Sequence, residues 1–314
     1  MGKLAYIYHP VFEKHNPGSG HPECPQRLQS IQAYLKNKGF EKRYTQITPE
    51  AAPDEIVELV HTKEYVQSIA DLSGVEHKVL DIGDTIINEY SVEAAFRAAG
   101  AAARAVELIF NEGFDKVFCA VRPPGHHAES NQAKGFCIFN NIAIAARAAQ
   151  KNKYIKKLLI VDWDLHHGNG TQNTFYKDDS VFYFSMHQYP FYPGSGSEDE
   201  QGSGRGEGFT LNIPLTSGCG EALYIKQFEQ ALKKIENVFQ PDLVLISAGF
   251  DAHELDPIGG MLITSDGYYK LTEITARFAQ KYCGGRIISF LEGGYSFQGL
   301  SESVYEHIKC LLKH

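Results

Sequence analysis

The stretch VDWDLHHGNG, residues 161–170, decides how the rest of the chain is read. It grows out of the apolar run LLIV, residues 158–161, which reads as a buried strand. Charges at the end of a buried strand are costly unless they are paired or bound to metal. Here Asp162, Asp164, His166 and His167 arrive within six residues. Asp164 and His166 are two apart, and on extended backbone that spacing puts both side chains on one face. A carboxylate and an imidazole on one face suit zinc or a similar divalent ion. The competing reading has one aspartate capping a helix and the histidines satisfied in a loop.

Other apolar runs end in the same way. RPPGHH (Arg122 to His127) follows DKVFCAV (Asp115 to Val121), and SAGFDAH (Ser247 to His253) follows DLVLI (Asp242 to Ile246). EGGY (Glu292 to Tyr295) follows RIISFL (Arg286 to Leu291). Four parallel-type strands therefore deliver polar groups at one end, where ligands bind in open α/β sheets. Asp251 can supply a third metal ligand. Two aspartates and one histidine leave a position open, the pattern of a catalytic site; a structural zinc would more often use cysteines.

The 314 residues suit one large α/β unit, 1–314, and 43% hydrophobic content allows a large core. The formal net charge of −8 disfavours non-specific nucleic-acid binding. Six cysteines occur without a CxxC pair and read as reduced thiols. MGKLAYIYHP has no signal-peptide architecture and no apolar run reaches membrane-spanning length, so a cytoplasmic location and no membrane partner are expected. A first strand is expected near Lys3 to Tyr8. Helices are expected at 25–37, 62–72, 91–111, 140–150, 221–238, 265–282 and 300–312. Strands alternating with helices predict a parallel sheet covered on both faces. The stretch Gln188 to Gly208, rich in Gly, Pro, Ser and acids, is too long for an ordinary connection, so it lines the site or moves.

Together these motifs resemble the metal-dependent deacetylases of the histone deacetylase and acetylpolyamine amidohydrolase superfamily. The matching stretches are GHPECPQRL (Gly20 to Leu28), RPPGHHA, GFCIFNN (Gly135 to Asn141), VDWDLHHGNGTQ, FYPGSG (Phe191 to Gly196), SAGFDAH and LEGGY. They run in the family's order over nearly the whole chain, with wording similar to the class II branch and its bacterial relatives. The resemblance implies the arginase-deacetylase fold, an eight-stranded, doubly wound parallel sheet with helices on both faces.

It also implies roles. Asp164, His166 and Asp251 would hold the catalytic metal, zinc by default, with Fe2+ compatible with the same ligands. His127 would be the general base and acid, and His126 mainly electrostatic. Asp162 would orient His126. Asn169 would orient His127, where some relatives carry an aspartate. Tyr295 would donate to the developing oxyanion; its bland alternative is a turn-capping residue. Phe136 and Tyr192 would wall the substrate tunnel, Gly135 would offer a backbone carbonyl to the substrate amide, and Ile258 would stand at the rim. Arg27 matches an arginine near the family's inner acetate-release cavity, against the alternative of a solvent-facing helix residue. Asp162 and Ser185 match a monovalent-cation site, K+ in relatives. Asp81, Asp84 and Glu89 share a segment whose acidic residue orients substrate in some relatives.

The expected substrate is acetyl-lysine, or another short acyl-lysine, in a protein or peptide. An acetylated polyamine or other small amine is the alternative. A non-catalytic binding module conflicts with the intact ligand, histidine and tyrosine set. An arginase-like ureohydrolase would need further bridging carboxylates.

Overall fold

The four apolar runs that end in polar motifs lie side by side at the centre of one sheet. The structure, a computed structural model, describes residues 3–152 and 155–314. In chain order its strands are β1 (Leu4–Ile7), β2 (Thr45–Ile47), β3 (Lys78–Val79), β4 (Ile86–Ile87), β5 (Lys116–Cys119), β6 (Leu158–Asp162), β7 (Val181–Gln188), β8 (Thr210–Leu215), β9 (Leu243–Ala248) and β10 (Ile287–Leu291). The helices are α1 (Gln26–Asn37), α2 (Asp54–Val57), α3 (Lys63–Ala70), α4 (Ser91–Asn111), α5 (Asn141–Lys151), α6 (Asn169–Phe175), α7 (Glu221–Glu236), α8 (Ser265–Cys283) and α9 (Phe297–Lys313). Among the described residues, eight strands form one sheet in the order β2-β1-β5-β10-β9-β6-β7-β8, while β3 and β4 form a small antiparallel hairpin. All pairs in the large sheet are parallel.

This order is doubly wound. After β5 the chain skips two places to lay down β6, then builds outward to β8 and returns to fill the gap with β9 and β10. Right-handed crossovers moving in opposite directions put their helices on opposite faces. Accordingly α4 and α5 pack together, and α1, α8 and α9 pack together, with α7 against α8. Strands β5, β6, β9 and β10 are buried along their whole length. They read as continuous apolar runs because both faces are covered.

Local chemistry sets the helix starts. The side chains of Thr62, Asn140, Thr264 and Ser296 accept backbone N–H bonds from Tyr65, Ala143, Gly267 and Gly299 at the first turns of α3, α5, α8 and α9. Ser296 therefore begins the last helix three residues before the expected Leu300. The expected helix over 91–111 has those same bounds, and its alanines are buried beside the alanines of α5. Small side chains there allow close helix packing.

Two long strands are absent from the expectation. β7 is buried throughout, and β8 follows the stretch expected to be irregular, which itself begins inside β7 at Gln188. No helix among the described residues is long and apolar enough to cross a membrane.

Candidate active site

The carboxyl ends of β5, β6, β9 and β10 converge on one cavity, at the point where the strand order reverses. Asp164 and His166 leave the end of β6, and Asp251 leaves the end of β9. One ligand atom from each lies within 4.8 Å of the others. His166 Nδ1 stands 3.2 Å from Asp164 Oδ1 and 3.0 Å from Asp251 Oδ2. The other oxygen of each carboxylate is occupied. Gly293 N donates to Asp164 Oδ2, and Leu165 N donates to Asp251 Oδ1, both at 2.8 Å. Each aspartate is thus pinned by backbone from a different loop, with one oxygen turned toward the common point.

All three residues are buried. Burial and the neighbouring Asp164 carboxylate push Asp251 upward, and the two carboxylates, outweighing burial, hold His166 up at about 9. Two buried carboxylates abutting one imidazole carry negative charge that a divalent cation would offset. The donor set of two oxygens and one nitrogen fits zinc or ferrous iron.

His126 and His127 follow β5 and lie beside the cluster, their ring centres 4.0 Å apart and their planes tilted by 44°. They differ electrostatically. His126 Nδ1 lies 3.2 Å from Asp162 Oδ2, and Tyr183 donates its hydroxyl to the same oxygen at 3.1 Å. Burial disfavours a charge on His126, but Asp164, Asp162 and Glu292 outweigh it and push the ring up to about 10. His127 Nδ1 meets Asn169 Oδ1 at 2.8 Å. Burial, then the cationic rings of His126 and His166, push His127 well below its ordinary value. An asparagine fixes this ring without adding charge, so the paired rings are pushed in opposite directions, His126 up and His127 down.

The cavity, about 230 Å³, is lined by Asp84, Pro124, His126, His127, Gly135, Phe136, His166, Phe191, Tyr192, Ile258, Gly293 and Tyr295. The Phe136 ring meets Tyr295 edge-on at 6.1 Å, and Tyr192 meets His127 edge-on at 5.1 Å. Burial and the Asp251 carboxylate hold the Tyr295 hydroxyl well above its ordinary value, so it keeps its proton. Gly135 adopts φ +55°, and a Cβ there would strike the His127 ring. At Gly293 a Cβ would strike the carboxylates of Asp251 and Asp164. Phe136 itself holds φ +68°, an uncommon conformation for an aromatic residue. Its N–H donates to Thr85 Oγ1 at 3.0 Å.

Arg27 is fully buried, which overturns the solvent-facing alternative. Its Nε donates to Gly294 O at 2.7 Å, its Nη2 to Glu292 O at 2.5 Å and its Nη1 to Glu23 Oε1 at 2.9 Å. It therefore braces the turn that carries Tyr295, whose ring centre is 5.1 Å from the guanidinium carbon. Ser185 faces Asp162 in register across β7 and β6, both fully buried. Of the three acids in the ambiguous segment, Asp84 lines the cavity. Asp81 accepts the backbone N–H groups of Gly83, Asp84 and Thr85 instead, and Glu89 is exposed. Burial and the Asp81 carboxylate raise Asp84 to about 6.

Residues 21–311 match the histone deacetylase domain. The chain belongs to the histone deacetylase family. It is 39% identical over 295 residues to a probable deacetylase of Archaeoglobus fulgidus, covering 93% of this chain and 81% of that one. To histone deacetylase 15 of Arabidopsis thaliana it is 42% identical over 297 residues, covering 93% and 53%. To histone deacetylase 5 of the same plant it is 38% identical over 328 residues, covering 99% and 49%. The chain thus spans about half the length of these plant histone deacetylases. A crystal structure of the HDA15 HD domain superposes with a TM-score of 0.93 at 39% identity, covering 99% of this chain and 91% of that one. The fold is accordingly the arginase-deacetylase fold of this deacetylase family.

Sequence reasoning assigned no role to several supporting residues. Glu292 accepts the N–H groups of Gly125 and His126, at 2.7 and 3.2 Å, and so fixes the histidine loop. Glu23 receives both Arg27 and Arg122, all fully buried. Phe191 stacks on His166 at 5.4 Å. The glutamates stood inside the GHPE and LEGG motifs, but a motif does not say which of its residues braces and which reacts.

Proposed function

We propose that residues 1–314 act as one catalytic domain that removes acetyl or other short acyl groups from lysine side chains of proteins or peptides. The observation that carries this reading is the shared cavity. Tyr295 and His127 line it together with His166, between Phe136, Phe191 and Tyr192.

Asp164, His166 and Asp251 would hold the metal, Zn2+ or Fe2+. Bound there, it supplies a Lewis acid that polarises the acyl carbonyl and acidifies water. His127, with Nδ1 committed to Asn169, has Nε2 free to take the proton of the attacking water and return it to the leaving amine. His126, cationic beside Asp162, stabilises the negative charge that develops. Tyr295 donates its hydroxyl to the oxyanion. Phe136 and Tyr192 exclude water along the extended methylenes, Gly135 offers its carbonyl to the substrate amide, and Asp84 at the mouth accepts from the substrate backbone. Arg27 borders the route by which acetate leaves. Potassium at Asp162 and Ser185 would stiffen β6 behind the ligands.

The second reading is hydrolysis of an acetylpolyamine or another small N-acyl amine. It is favoured by Asp84, the one acidic residue lining the cavity among the described residues, which could pair with an ammonium group. A panel of acyl-lysine peptides and acetylated amines decides between them. Turnover of peptides ahead of amines supports the lysine reading, the reverse order supports the second, and no turnover of either by metal-loaded protein refutes both.

A further inference from the structure

An asparagine can turn either its oxygen or its amide nitrogen toward a neighbouring imidazole. Only the oxygen holds a proton on His127 Nδ1 and leaves Nε2 free. The far end of the Asn169 amide makes the choice. Its Nδ2 donates to Glu129 Oε1 at 2.5 Å and to the His127 backbone oxygen at 3.2 Å. Turned over, the amide would set its oxygen against a carboxylate and a carbonyl, two acceptors without a proton between them.

Glu129 is itself held. Asn173 Nδ2 donates to both its carboxylate oxygens, at 2.9 and 3.1 Å, and its own N–H donates to Gln132 O at 2.9 Å. Asn169 and Asn173 stand four apart on α6, on one face of the helix. The carboxylate is partly exposed and does not line the cavity. We propose that Glu129 is a positioning residue for His127, acting through Asn169. The negative charge that an aspartate would place directly on the imidazole stands here one residue farther out. It reaches the ring by polarising the amide between them. This rests on the reading of His127 as general base.

The test compares kcat and KM on an acetyl-lysine peptide for Glu129→Ala, Glu129→Gln, Asn169→Asp and the double variants, with His127→Ala as reference. Glu129→Ala is expected to lower kcat on the order of tenfold while leaving KM unchanged. Glu129→Gln keeps an acceptor oxygen that orients the amide but no charge to polarise it, so it recovers only part of that loss. Asn169→Asp alone opposes two carboxylates and loses at least as much. Combined with Glu129→Ala, it restores activity, so the sign of its effect inverts. A Glu129→Ala variant as fast as the parent, or an Asn169→Asp effect independent of residue 129, overturns the inference. If Glu129→Ala does not fold, Glu129→Gln with and without Asn169→Asp carries the same comparison. An active His127→Ala would refute the general-base reading instead. Parent-like Glu129→Ala beside an inactive His127→Ala refutes this inference alone.

Discussion

Gly293, just past β10, donates its backbone N–H to Oδ2 of Asp164 at 2.8 Å, joining loops 129 residues apart in the chain. This bond and the Arg27 bonds to Glu292 and Gly294 fix the turn from which Tyr295 projects. Tyr295 is thus placed by its turn, and its own N–H donates to Asp256 Oδ2 at 2.7 Å. Tyr295→Phe should fold and bind metal like the parent yet lose turnover on the order of 100-fold. Metal content and kcat measured on the same preparation check this, and a variant as fast as the parent sinks the oxyanion assignment.

Asp251→Asn keeps the shape of the ligand but removes its charge. Metal occupancy and activity should fall together, and excess metal should restore part of both. Elemental analysis alongside turnover is the measurement. Full activity in chelator-stripped protein would exclude the metal-assisted mechanism.

Ile258 lines the same cavity as Tyr295. A glutamate at this rim would pair with the secondary ammonium of a polyamine. Isoleucine leaves such a cation unpartnered in a confined space, which is unfavourable. Acetyl-lysine peptides should therefore give a higher kcat/KM than N8-acetylspermidine. Ile258→Glu should move the ratio toward the polyamine. A parent that prefers acetylspermidine promotes the second reading.

His61 predicts a pH dependence of stability. It is 3% exposed, and burial lowers it to about 4. Its Nε2 accepts the Asn140 N–H at 2.9 Å, so the folded protein needs the neutral ring. A free histidine titrates near 6.5, so as pH falls the unfolded chain takes the proton first. Stability is intact above that value and is lost as pH drops toward about 4. Between pH 7 and 5 the loss is about 2 kcal/mol from this residue. Urea midpoints should decline over that range in the parent and less in His61→Gln; parallel declines would count against the assignment.

The centre of the sheet and its ligands were readable because each strand carries two signals in tandem, an apolar run and then a charged or histidine-bearing motif. Strand β7, VFYFSMHQ, has the run but ends in a single histidine, His187, whose ring is taken by Ser185 and the Gly196 carbonyl, and β8, TLNIPL, is interrupted by asparagine and proline. Their strand form depends on pairing with β6 and with each other. Helix α6, NGTQNTF, has one good helix former, Gln172, among Asn, Gly, Thr and Phe, and its start is set by the histidine loop it packs against. Bracing contacts such as Glu292 to Gly125 join residues 167 apart, which no local pattern encodes. The stretch 188–208 reads as either wall or mobile segment. Folded, it carries Phe191 and Tyr192, and Glu200 clasps it by accepting from Gly196 N, Ser197 N and Gln172 Nε2.

The strand order has a bearing on how the protein comes to exist at the ribosome. Strands β5 and β6 carry the histidine pair and two ligands, yet they never touch. Strands β9 and β10, made roughly 80 and 125 residues after β6, fill the space between them. Until Ile287–Leu291 emerges, the emerging chain holds two half-sheets with no common edge, and the metal ligands stand on open strand ends. Assembly of the reactive cluster therefore waits on late-made sequence, because a chain ended before Ile287 lacks the strand that joins the two halves of the sheet.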